Sequence, residues 1–142
     1  MLFTISRGVW VVSVLGVLAA LLYVYAGLPQ QVLIQQLEEG DTILSRDTVF
    51  YIALALSAIV NVSVYLIGAV FKKELTFRAW FNGLIITINV FIMIALFTLG
   101  TINSIEKFDY SRIAFLVYGS LILVVLWCLT WPLWVLFQKF FR

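Results

Sequence analysis

The sequence predicts an all-α polytopic membrane protein, a four-transmembrane-helix bundle with a short amphipathic helix in the first outer loop. Four stretches, 8–37, 48–71, 79–105 and 113–138, contain no Asp, Glu, Lys or Arg. Each is long enough to cross a bilayer, since a spanning helix needs roughly 20 mainly apolar residues for a hydrocarbon core of about 30 Å. The chain is also 64% hydrophobic and only 11% charged, whereas soluble domains carry about 25% charged residues. Spans at about 8–27, 48–71, 79–103 and 112–137, with their connections, use nearly all of the 142 residues. A single membrane domain over 1–142 is therefore expected.

The first stretch follows Arg7, and Val24-Tyr25-Ala26 loosely imitates a cleavage site. Its apolar run from Gly8 to Ala26 exceeds the roughly 7–15 residues of a secretion-signal core, so it reads as a span. The connection that follows, from about Gly27 to Asp47, is the longest. Pro29 suits a first helical position and Gly40 a helix stop. Leu28, Val32, Leu33 and Leu37 cluster on one helical face, opposite Gln31, Gln35, Glu38 and Glu39. That pattern predicts a short helix capping the bundle. In the last span, Pro132 removes one backbone donor, which is expected to kink its final turns.

Positive charge orients the spans. With the amino terminus inside, the cytoplasmic side holds Arg7, Lys72, Lys73, Arg78, Lys139 and Arg142, and the other side only Arg46, Lys107 and Arg112. The positive-inside rule then favours cytoplasmic termini. Trp10, Trp80, Trp131 and Trp134 are expected at the inner interface, and Tyr23, Tyr25, Tyr51 and Tyr110 at the outer one.

The outer loop carries one resemblance. Tyr25, Leu28-Pro29, Val32, Gly40 and Arg46 before an apolar helix resemble the Leu-Pro loop domain of SdpI-type bacterial immunity membrane proteins. The resemblance covers about residues 20–65. Where that family has its Pro-x-His-aromatic run, this chain reads Leu33, Ile34, Gln35 and Gln36, so no role of the histidine carries over. The resemblance implies a bacterial envelope protein with a protective or signalling role. Its outer-loop recognition candidates are Leu28, Pro29, Glu38, Glu39 and Asp41.

Within the spans the polar residues are amides and hydroxyls. Ala53, Ser57 and Asn61 recur every four residues, with Gly68 seven further on, while Asn82, Asn89 and Asn103 share a heptad-spaced stripe. Small residues let helices approach, and amides bond across such contacts. Asn61 and Asn89 each lie 14 residues from Leu75, the centre of the turn between their spans. An antiparallel hairpin rising about 1.5 Å per residue places them at one depth, so they are expected to meet or share a polar partner. The first span offers a small-residue face of Ser13, Gly16 and Ala20.

Little here points to catalysis. The chain has no histidine and one cysteine, Cys128, which is expected to be a small buried hydrophobe. Charge-free spans offer no proton relay or voltage sensor. No cofactor, metal site or catalytic residue is expected, nor nucleic-acid binding, because the basic residues are scattered. The favoured reading is a non-enzymatic accessory or structural subunit among membrane lipids and other integral membrane proteins. The alternatives are an SdpI-like immunity or signalling protein, and a small transporter or lipid-handling protein with a cavity at the Asn61–Asn89 level. Homo-oligomerisation stays open.

Overall fold

A computed structural model describes residues 1–37, 40–103 and 110–141. For 33–37, 40–42, 102 and 110–113 the description is of the backbone alone. The element order is α1 (Leu2–Gly27), β1 (Gln31–Leu37), β2 (Gly40–Ser45), α2 (Arg46–Val70), α3 (Leu75–Ile102) and α4 (Tyr110–Phe140). All four helices contain windows long and apolar enough to span a membrane.

The amphipathic helix expected in the first connection is instead an antiparallel hairpin. Gln31 pairs with Ser45, Val32 with Leu44, Leu33 with Ile43 and Leu37 with Gly40, with a bulge between Leu33 and Gln35. Pro29 explains part of the difference. A residue before proline is pushed out of the helical region, and Leu28 is extended at φ −79° and ψ 144°. Pro29 therefore ends α1 rather than starting a new helix. The segment also offers two short runs containing Val, Ile and Thr, separated by two residues, which is a hairpin pattern. A helix of that length is marginal on its own, whereas each strand finds a backbone partner in the other.

The hairpin is tied to both flanking helices. The Arg46 backbone N–H donates to the Gln30 carbonyl at 2.9 Å. The Ser45 hydroxyl caps α2 by accepting from the Thr48 N–H at 3.2 Å. The Tyr25 hydroxyl donates to Asp47 Oδ1 at 2.8 Å, and the Arg46 guanidinium lies 4.8 Å from the Tyr25 ring centre. Beneath these contacts, Ala20, Leu21, Val24 and Leu28 form one apolar cluster with Val32, Val49 and Leu96.

In the bundle α3 is central, packing against α1, α2 and α4. Among the described residues α4 packs against α3 alone. That seam is a reciprocal tryptophan clasp. Trp127 Nε1 donates to the Trp80 carbonyl at 3.0 Å, and Trp80 Nε1 donates to Thr130 Oγ1 at 2.8 Å. Gly83 makes room for it, because a Cβ there would stand 2.3 Å from the Trp127 ring. An open apolar groove of about 480 Å³ separates α1 from α4. The helix continues through Pro132. Cys128, expected to be buried, is exposed on α4, since among the described residues that helix packs against α3 alone.

Candidate functional site

Asn61 and Asn89 form a reciprocal amide pair. Asn61 Nδ2 donates to Asn89 Oδ1 at 3.1 Å, and Asn89 Nδ2 donates to Asn61 Oδ1 at 2.9 Å. Asn89 Nδ2 also donates to Ser13 Oγ at 2.9 Å, so the pair reaches α1. Trp10 Nε1 donates to Asn61 Oδ1 at 3.0 Å. Asn61 Nδ2 also donates to the Ser57 carbonyl at 2.7 Å. The Asn61 side chain thus uses two donor and two acceptor sites, the full complement of an amide. Ser57 takes part through its carbonyl, and its own buried hydroxyl has no hydrogen-bond partner among the described residues.

Asn82 lies seven residues before Asn89 on the same face of α3. Its Nδ2 donates to Ser6 Oγ at 3.2 Å. The Ser6–Asn82 and Ser13–Asn89 pairs share a sequence offset of 76. Ala20 and Leu96, one heptad further, both belong to the apolar cluster. Such a constant offset is the register of two parallel helices meeting on a heptad seam. Ser6, Ser13 and Trp10 are contributors the amide pattern alone does not reveal. The spacing Ser6–Ser13–Ala20, matched to Asn82–Asn89–Leu96, was the available signal.

Trp10, expected at the inner interface, is turned into the bundle. It is buried, bonded to Asn61, and meets Tyr65 edge-on with ring centres 5.7 Å apart. Asn89 has no exposed surface. At this level Asn89 is enclosed by its hydrogen-bond partners Asn61 and Ser13, while Asn61 itself is half-buried. A buried unpaired amide in this apolar setting would cost several kcal/mol (about 2–7), so the network's completeness matters for stability.

The outer candidates divide. Leu28 is a buried core residue, whereas Pro29 is exposed. Asp41 pairs through its backbone with Gln36 across the hairpin. Glu38 and Glu39 lie outside the described residues, as do Glu106 and Asp109 of the last connection. A change at Leu28 therefore strikes the core as well as any surface the hairpin offers.

These features define a class: a small integral membrane protein of four helices, held by an intramembrane amide–hydroxyl layer. Compared with protein-family models, curated proteins and solved structures, the chain finds no match.

Proposed function

We propose that this chain is a non-enzymatic accessory or structural subunit, packing within a larger membrane assembly through α4. The observation that carries the reading is the isolation of α4. Among the described residues this 31-residue helix packs against α3 alone, and a groove sets it apart from α1. Phe115, Leu121, Leu129 and Phe137 are among its exposed large side chains. Association in lipid relies on packing and hydrogen bonds rather than on a hydrophobic drive. Asn61, Asn82 and Asn89 are engaged within the three-helix layer, leaving α4, outside it, as the element free to pack elsewhere.

The test is purification of the tagged chain in mild detergent at native expression level, with its mass and co-purifying proteins identified. Stoichiometric recovery with a larger membrane assembly, and a crosslink to it from Leu126→Cys on α4, are the expected results. Recovery as a lone monomer or homo-oligomer would overturn the reading.

A further inference from the structure

At the end of the bundle that carries Met1, α1, α2 and α3 enclose a notch of about 100 Å³. That is several times the roughly 10–15 Å³ one water molecule requires. Two guanidinium side chains, Arg7 and Arg78, line it together with Trp10 and Asn82. Its depth follows from the sequence. Arg7 immediately precedes the charge-free stretch of the first span, Arg78 immediately precedes that of the third, and Lys72 immediately follows that of the second. All three transitions occur where apolar chain gives way to charged, at the level of phospholipid headgroups.

Among the described residues, no acidic side chain pairs with the two guanidinium groups of the notch. Arg78 is half-buried, with its guanidinium 4.6 Å from the Phe3 ring centre. Its one side-chain hydrogen bond among the described residues is a long one, 3.4 Å, to the Lys72 carbonyl. Arg7 has no side-chain hydrogen bond or ion pair among the described residues. The nearest acidic residue in sequence, Glu74, is exposed and meets Arg78 through the backbone, accepting from the Arg78 N–H at 3.0 Å. Gly68 seats the second guanidinium. A Cβ at that position would stand 2.9 Å from Arg78 Nη2, so the absence of a side chain lets Arg78 lie against α2.

We propose that this notch binds a phosphate group, with Arg7 and Arg78 as its cationic donors, and that an anionic phospholipid headgroup supplies it. Guanidinium groups match phosphate oxygens in planar, charge-assisted pairs. Basic pockets between membrane helices near the interface are suited to anionic headgroups. Phe3, Trp10 and Phe81 wall the notch, leaving the two arginines as its charged partners for an entering anion. The assignment is independent of the subunit reading, which concerns α4.

The experiment uses the full chain, delipidated in detergent, then placed in phosphatidylcholine nanodiscs and titrated with phosphatidylglycerol. The readouts are lipid retention by native mass spectrometry and the thermal midpoint. The wild-type chain is expected to retain phosphatidylglycerol over phosphatidylcholine and to gain thermal stability from it. Arg7→Gln with Arg78→Gln should weaken retention about tenfold. Gly68→Val, which displaces the Arg78 guanidinium without altering charge, should weaken it too. Lys72→Gln with Lys73→Gln removes the same charge outside the notch and should leave retention intact. Unchanged retention in the arginine pair, or an equal loss in the lysine pair, would overturn the site. Inorganic phosphate is titrated separately. If it alone stabilises the wild type and displaces the lipid, the phosphate chemistry stands and the lipid source is overturned.

Discussion

At the scale of single residues, the fold turns on how buried amides are satisfied. Asn89 is fully buried and bonded to both Asn61 and Ser13. Replacing it by Ala is expected to destabilise the chain by about 1–3 kcal/mol, because the Asn61 amide is left with unpaired sites. Thermal unfolding of the detergent-solubilised protein measures this. A cycle of Asn61→Ala, Asn89→Ala and the double variant should give a coupling of roughly 0.6–2 kcal/mol. A coupling near zero would mean the two amides act separately. The approach of these asparagines was legible because both stand 14 residues from the turn. Trp10 was not, since an amphipathic ring near a helix end suits an interface as well as a buried bond. Only a partner across space separates those two roles.

At the scale of elements, the four helices were legible because apolar length in lipid leaves a segment few alternatives. The hairpin was not. Leu28, Val32 and Leu37 fit a helical face, and Gly40 fits a helix stop, so spacing did not decide between the two forms. What decided was Pro29 forcing Leu28 into an extended conformation, together with the mutual backbone pairing of β1 and β2. The register makes a direct prediction. Gln36→Cys with Asp41→Cys, in a Cys128→Ser background, should form a disulfide under mild oxidation. Directly opposed antiparallel residues lie about 4.5–5.5 Å apart at Cα, within disulfide reach. A helix over this segment would not bring that pair into register. A second prediction concerns α4. Gly83→Val places a side chain into the Trp127 ring, and overpacking of this kind costs about 1–3 kcal/mol. Tryptophan fluorescence should shift as the Trp80–Trp127 clasp opens, while the Asn61–Asn89 layer persists.

At the scale of the whole molecule, the bundle is asymmetric: three helices share a polar layer and the fourth hangs from α3. This asymmetry was not legible in the sequence, because α4 is apolar around its circumference and no face marks its neighbour. The positive-inside count did suggest which end faces the cytoplasm. Cysteines substituted beside Lys72 and in the hairpin at Gln31 should therefore label from opposite sides of sealed vesicles. Labelling of both from one side would refute the four-span topology.

The constant offset between α1 and α3 also has a consequence for how the chain is made. Ser13 leaves the ribosome 76 residues before Asn89, its partner. During that interval the first helix must reside in the bilayer without α3. Its hydroxyls are provided for: Ser6 donates to the Phe3 carbonyl at 2.8 Å and Ser13 to the Trp10 carbonyl at 2.6 Å. Asn61 similarly has a partner within its own helix, in the Ser57 carbonyl. Ser6, Ser13 and Asn61 thus each carry a local bond that tolerates lipid, and the two hydroxyls retain lone pairs to accept from the asparagines that arrive later. Assembly can proceed in the order of translation, with the third helix closing a layer whose earlier members have been waiting in a membrane-compatible state.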